Sequence, residues 1–366
     1  MPDPRHQKLA QVIVNYSLAL KPEDKVAIHG SSIAAPLIKE IYREAVRTGA
    51  YVYTQINIDG LAEIFLREAS DEQLTYVSER QRFDYDFPTA SIHIHSDENT
   101  KHLSGIDPKR IAIRQAANAP LMERTMTRTA AKELRWCVTL FPTQSYAQDA
   151  GMSLSDYEDF VFGSMLLNDP DPVESWRKVK ANQQHIVDYL SKHDEIHIVS
   201  PDTDVTYRTG GRIWTNAHGD FNFPDGEVFT GPIEDSVNGT VRFTYPAVYH
   251  GQEVEDVRLT FQNGRVVESS AGRNERFLNE MLDMDAGSRY LGEVAFGLNY
   301  GVQRFTKNIL FDEKIGGTMH MALGASYPET GGKNVSALHW DIVCDLREGK
   351  VYADGELCYE NGKFLI

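Results

Sequence analysis

Cysteine is scarce in this chain of 366 residues: Cys137, Cys344 and Cys358 are the only three. Thiols so few and so scattered exclude a disulfide framework and a cysteine-based zinc knuckle, and they suit a compartment that keeps them reduced. Long apolar runs are missing as well, since no stretch approaches the roughly 18 residues of a membrane span. The opening residues Met1-Pro2-Asp3-Pro4-Arg5-His6 lack the charged start of a signal peptide, and Gln11, Asn15 and Lys21 interrupt the first apolar stretch. A cytoplasmic protein with no membrane partner is expected. Positive charge is in deficit: 37 Lys and Arg against 53 Asp and Glu give a net charge of −16. Nucleic-acid binders place cations against phosphates, so nucleic acid is not an expected partner. His-Glu-x-x-His, a P-loop and Gly-x-Gly-x-x-Gly are all absent, as are internal repeats and low-complexity linkers.

The chain is 41% hydrophobic and long enough for two domains. Apolar residues recur at helical spacing over 5–19, and Lys25 to His29 reads as a strand. Ser31 or Ser32 is a candidate cap for a helix from Ala34 to Arg47 that stops at Gly49, and a second strand follows from Tyr51 to Ile58. Further strands are expected at Ala90 to His95, Trp136 to Leu140 and Glu195 to Val199. Helices are expected at about 60–80, 107–132, 153–167 and 172–192, an alternation that makes an open α/β sheet. Beyond residue 195 the texture changes to short strands punctuated by turns such as Thr209-Gly210-Gly211, Asp225-Gly226 and Gln262-Asn263-Gly264, with a helix near Glu275 to Met284. The expected architecture is an N-terminal α/β open-sheet domain over residues 1–199, then an α+β, mainly antiparallel β domain over 200–366, divided near Ser200-Pro201.

The second half also concentrates oxygen and nitrogen ligands: Glu227, Glu293, Glu313, His320, Tyr327, His339 and Asp341. In His339-Trp340-Asp341 one residue separates an imidazole from a carboxylate, so on a strand both project from one face. Glycine pairs flank the His320 run, as a strand needs where backbone turns sharply or approaches a ligand. A Pro224-Asp225-Gly226 turn delivers Glu227 onto the first residue of a strand. Taken alone, Glu227 also reads as a solvated strand-end residue. Mixed carboxylate and imidazole sets suit divalent ions, and two such ions about 3.5 to 4 Å apart can share a carboxylate.

The order Pro-Asp-Gly-Glu-Val-Phe-Thr (224–230), Leu-Gly-Glu (291–293), Asp-Glu-Lys (312–314), His-x-Ala-Leu-Gly (320–324), Tyr-Pro (327–328) and His-Trp-Asp (339–341) resembles the aminopeptidase T, or thermophilic aminopeptidase, family of metallopeptidases. The motifs are specific over roughly 195–366 and looser before. The resemblance implies a dinuclear site holding two divalent ions (zinc, cobalt, manganese or magnesium), with Glu227 on one metal, Glu293 bridging both, and His320, Tyr327, His339 and Asp341 completing the set. Glu313 is open between ligand, general base and support of a ligand, because its interval to the following histidine is longer than in better-known members. Tyr327 is open between ligand, oxyanion donor and support of a ligand. Glu313, Tyr327 and Glu293 are the catalytic candidates.

It further implies a peptide substrate with a free N-terminus and a homodimer; because the candidate ligands all lie beyond the domain boundary, the N-terminal domain is expected to shape the substrate cleft or control entry. His93 and His95 share a strand face but lack an attached carboxylate motif, and read as strand or cavity-wall histidines. His218 reads as a loop residue with substrate contact as the alternative. Two rivals remain at this point. One is a mononuclear iron ring-cleaving dioxygenase using two histidines and a carboxylate, and the other is an inactive binding homologue on the same scaffold.

Overall fold

Val26, Ala27 and Ile28 are buried in sequence along one strand, the pattern of a strand covered on both faces. It lies at the heart of a five-stranded parallel sheet in the computed structural model, which describes residues 3–249 and 251–366. The sheet runs, in spatial order, Tyr51–Asn57, Lys25–Ser31, Ala90–His95, Arg135–Leu140 and Asn222–Phe223. Val26 pairs with Val52 on one side and Ala90 on the other. Contacts divide the chain into two compact units: residues up to Val173 with Gly219–Phe223, and Glu174–His218 with Pro224–Ile366. This sheet belongs to the first.

The helix Ala35–Arg47 turns Leu37, Ile38, Ile41 and Ala45 inward at the 3.6-residue period. Neither candidate cap serves it. The chain passes through a 3-10 turn, Ser32–Ala34, and no side chain caps the helix. The Ser31 hydroxyl donates instead to the Ser96 carbonyl at 2.9 Å, tying two strand ends together. The expected helix at 60–80 is three short ones, Leu61–Glu68, Asp71–Thr75 and Glu79–Asp86. Ser70 with Gln73, and Ser78 with Gln81, form capping boxes that restart the helix each time. Helices Pro108–Ala130 and Leu154–Ser164 stand where helical spacing placed them.

The ring of His93 stacks on that of His29 at 4.3 Å, and both line a cavity with His95 at the carboxyl ends of the parallel strands. Burial lowers the His93 imidazole to about 4.

The second unit carries two large antiparallel sheets and a two-stranded antiparallel ribbon, Ala247–Tyr249 with Gln252–Val254. One has eight strands, among them Glu195–Ser200, Thr203–Arg208 and Lys350–Ala353. The other has five, in the order His339–Asp345, Thr318–Gly324, Leu291–Gly297, Glu227–Thr230 and Thr215–Ala217. Both contribute to one core: Ile196, Val205, Tyr207, Leu259 and Val351 from the first, Val228, Phe296, Met321, Trp340 and Ile342 from the second. Each large apolar side chain so buried contributes roughly 1.5–3 kcal/mol. The architecture is the α/β sheet followed by antiparallel β structure that the sequence pattern implied, except that Glu195–Ser200, expected in the open sheet, pairs antiparallel within the second unit. Among the described residues no helix is long and apolar enough to cross a membrane.

Candidate metal centre

Strand alternation sorts the five-stranded sheet into two faces. One carries Val294, Phe296, Met319, Met321, Trp340 and Ile342 into the core. The other carries Glu227, Glu293, His320, His339 and Asp341, four strands contributing to one patch. Register places small residues between them. Glu293 lies across from Ala322, which lies across from Asp341; His320 faces Ala295, His339 faces Gly324, and Glu227 faces Gly297. Each long ligand side chain therefore has an alanine or glycine beside it, leaving room for groups to converge.

Two glycines make the placement possible. Gly226 holds φ at +122°, and a Cβ there would meet that of Asn299 at 2.8 Å, so the turn preceding Glu227 admits no larger residue. Gly292 sits where the register slips between Leu291 and Glu293, a bulge that re-aims the glutamate. Its Cβ would lie 2.0 Å from the Ala325 carbonyl oxygen.

Both imidazoles are oriented through the backbone. His320 Nδ1 bonds the Glu313 carbonyl at 3.1 Å, and His339 Nδ1 bonds the Ala325 carbonyl at 2.9 Å. That fixes Nδ1 as the protonated nitrogen of a neutral ring and turns Nε2 towards the carboxylates. His320 Nε2 lies 3.5 Å from Glu293 Oε1 and 3.9 Å from Asp341 Oδ1; His339 Nε2 lies 3.5 Å from Glu293 Oε2 and 3.7 Å from Asp341 Oδ2. Each of these two carboxylates thus offers one oxygen to each imidazole. Glu227 Oε2 lies 3.5 Å from His320 Nε2. Glu227 is buried, so its reading as a solvated strand-end residue does not hold.

Three consecutive charged residues go three ways. Asp312 turns inward, accepting from the Thr306 amide at 2.7 Å and its hydroxyl at 2.9 Å, which locks the turn. Glu313 extends to the site. Lys314, 1% exposed, places its Nζ against Glu227, 2.5 Å from Glu313 Oε1 and 3.7 Å from Asp225. Neither Lys314 nor Asp225 is legible as a site residue from sequence, because nothing in an Asp-Glu-Lys triplet says which charge is buried. Gln183 escaped notice for a similar reason. From the helix Pro172–Leu190 its amide donates to the carbonyls of Glu227 at 3.0 Å and Ala217 at 2.8 Å, fixing the start of the Glu227 strand. Tyr327 begins a 3-10 turn, its ring 5.0 Å from that of His339.

Charge in this patch is strongly coupled. Burial pushes Glu227 up to about 8 and Asp341 up to about 6. At Glu293 burial is outweighed by His320 and His339, which hold it down at about 2. Burial would lower the two histidines, but Glu293 and the neighbouring carboxylates raise His320 to about 9 and His339 to about 10. Burial likewise opposes the Lys314 charge, yet Glu227, Glu313 and Asp225 keep it well above the usual lysine range. Burial, then Glu293 and Asp341, raise the Tyr327 phenol, which stays protonated.

Protons on two buried imidazoles are thus what balances the carboxylates. Divalent cations fit the same need. Glu227 Oε2 and Asp341 Oδ1 are buried without a hydrogen-bond partner, as acceptors aimed at an ion would be. One donor atom each from Glu293, His339 and Asp341 lies within 4.8 Å of the others, and so do those of Glu313, His320 and Asp341. Oxygen with imidazole nitrogen suits zinc, cobalt or manganese.

The loop before His339 is pinned by Asp285. Its carboxylate accepts from the Ala337 amide at 2.7 Å, the Ser336 hydroxyl at 2.9 Å, the Gly287 amide at 2.9 Å and the Ser288 amide at 3.0 Å. The Ala337 amide, then Ser336 and Ser288, hold the carboxyl down at about 2. A folded pKa below the unfolded value of about 3.9 gives stabilisation that is complete above that value and is lost as pH falls through about 4 to 2. Asp285→Asn is therefore expected to lower the urea midpoint at pH 6 and to have a much smaller effect near pH 2.5. An unchanged gap between the two proteins across that range would remove Asp285 as the pin.

The family model for the thermophilic metalloprotease (M29) matches residues 3–364. Aminopeptidase 2 of Geobacillus stearothermophilus is 31% identical, covering 95% of this chain and 94% of its own length. Aminopeptidase T of Thermus thermophilus is 27% identical over 97% of this chain and 95% of its own. In fold, the wild-type AmpT structure from Thermus thermophilus superposes with a TM-score of 0.87 over 99% of each chain at 24% identity. A 2,5-dihydroxypyridine dioxygenase from Pseudomonas putida reaches a TM-score of 0.58 over 99% of this chain and 96% of its own at 14% identity, a likeness of fold alone. Matched by the family model over nearly its whole length, and carrying the candidate oxygen and nitrogen ligands on one sheet face, the chain belongs to the thermophilic metalloprotease (M29) family and is a metallopeptidase.

Proposed function

We propose that in this metal-dependent aminopeptidase Glu293, His339 and Asp341 would hold one divalent ion and Glu227, Glu313 and His320 a second, with Glu293 placed to serve both. The observation that carries the reading is the matched pair of contacts in which Glu293 offers one oxygen to each imidazole at 3.5 Å, both rings being turned there by backbone carbonyls. When bound, such ions polarise a carbonyl and lower the pKa of water from about 16 to about 7.

The chain's own residues do the rest. Glu313, on a turn beside the imidazoles, would hold the ion through one carboxylate oxygen and, through the other, takes a proton from water and returns it to the leaving amine. Tyr327 keeps its phenolic proton and donates it as a hydrogen bond to the oxygen on which charge develops. The α-amine of a free N-terminus seats against this carboxylate-rich patch and sets the first peptide bond as the one that is cut. Zinc, cobalt, manganese or magnesium serve as ions. A cytoplasmic location accords with three buried cysteines, and a homodimer accords with the family resemblance.

Paired peptides test the exopeptidase assignment. Correct positioning supplies up to about 7–11 kcal/mol in well-oriented systems, and an N-terminal acetyl group removes the amine contact that provides it. Mass spectrometry should show single-residue ladders from the free peptide and none from its acetylated twin. Equal cleavage of both, or cuts at internal bonds, would sink the aminopeptidase reading and leave a metal hydrolase of another specificity.

A further inference from the structure

A lysine only 1% exposed sits among the candidate ligands. The Lys314 ammonium touches one oxygen of Glu227 and one of Glu313, two of the side chains assigned to the second ion, while the other Glu227 oxygen faces His320 Nε2 at 3.5 Å. A desolvated ammonium holds its charge only against such anions, so it fills space and neutralises charge that an ion at that position also requires. On the other side of the patch, the ion pairs of Glu293, His339 and Asp341 are with each other and with His320, and among the described residues none is with a lysine or arginine. The two positions are therefore not equivalent before any ion arrives.

We infer that Lys314 acts as a built-in competing cation that makes the two ion positions unequal. The Glu293–His339–Asp341 position fills first and tightly. The Glu227–Glu313–His320 position fills only when the ammonium yields both glutamates, and it binds correspondingly weakly. Asp225, buried 3.7 Å from Nζ, is the anion to which the displaced ammonium moves. Lys314 is thus a positioning residue that sets occupancy of the second site. The inference rests on the two-ion reading and specifies how it is regulated.

The test is metal stoichiometry. Full-length protein stripped by chelation is titrated with Zn²⁺ in a calorimeter, and ions retained after dialysis are counted by elemental analysis. Wild type should retain one ion per chain and bind a second at least about 30-fold more weakly, the factor that repulsion between a single charge and a divalent ion gives across about 4 Å even at the dielectric constant of water. Lys314→Met keeps the length and removes the charge, and should retain two ions. Lys314→Arg should still retain one. Asp225→Asn deprives the displaced ammonium of its partner, and should weaken the second ion further while leaving the first unchanged; it decides the matter if Lys314→Met does not fold. Two equal, tight ions in wild type, a second affinity in Lys314→Met no better than wild type, or a second affinity untouched by Asp225→Asn would overturn the inference. Failure of every form to bind any ion would instead sink the metal centre itself.

Discussion

Glu293→Gln is expected to lose bound metal and turnover together, with kcat/KM falling by more than about 100-fold. Partners that only orient a ligand already cost 10–100-fold when removed, and a ligand shared by two ions exceeds them. The change is nearly isosteric, and Glu293 lies across from Ala322, so packing offers no alternative explanation. What changes is charge. Both carboxylate oxygens face imidazole nitrogens at 3.5 Å, and the two histidines hold the group ionised despite its burial. An amide replaces one anionic oxygen with an N–H₂ group, which cannot accept an ion and points donors at a position built from acceptors. Elemental analysis beside steady-state kinetics reads both effects. His93→Ala, in the other compact unit, should leave metal content unchanged. A Glu293→Gln protein with full metal and full rate, or a His93→Ala protein that loses metal, would show the site to be misassigned.

Removal of the ions should abolish aminopeptidase activity, and Zn²⁺, Co²⁺ or Mn²⁺ should restore it. Without an ion, the patch balances its carboxylates with protons on His320 and His339, raised to about 9 and 10. Protonated imidazoles cannot ligate, and water keeps its ordinary pKa, so the nucleophile disappears. The remaining rate should lie at the detection limit of an aminoacyl-amide assay. Turnover by protein verified as metal-free would reject this chemistry. Oxygen consumption with a single tightly held iron would point to the dioxygenase-like chemistry that the fold alone does not separate from peptidase chemistry.

Helical and strand periods fixed most elements of the first half in advance, because each depends on residues close in sequence: Ala90–His95 and the helix Pro108–Ala130 stand where apolar spacing put them. Spacing also told which residues of the ligand-rich half share a face, since His339 and Asp341 are two apart on a strand whatever surrounds them. Capping was harder to read. Ser31 carries the residue type of a helix cap, yet its hydroxyl is taken by Ser96, which lies 65 positions away. Ser70 and Ser78 end one expected helix and begin others, a local signal overlooked in a run with continuous helical spacing.

By itself, then, the sequence determined the candidate ligand types, the two classes of sheet and the family, all of which follow from short-range pattern and motif order. Only the tertiary structure decided which charges are buried and what they face. Glu293 meets both imidazoles because a bulge at Gly292 re-aims it, and His320 and His339 turn Nε2 inward because distant carbonyls hold Nδ1. Lys314 enters the patch while Asp312, two residues before it, turns away to Thr306. Burial and electrostatic partnership are properties of several strands brought together, and neighbouring residues of like polarity carry no local mark of which will be enclosed.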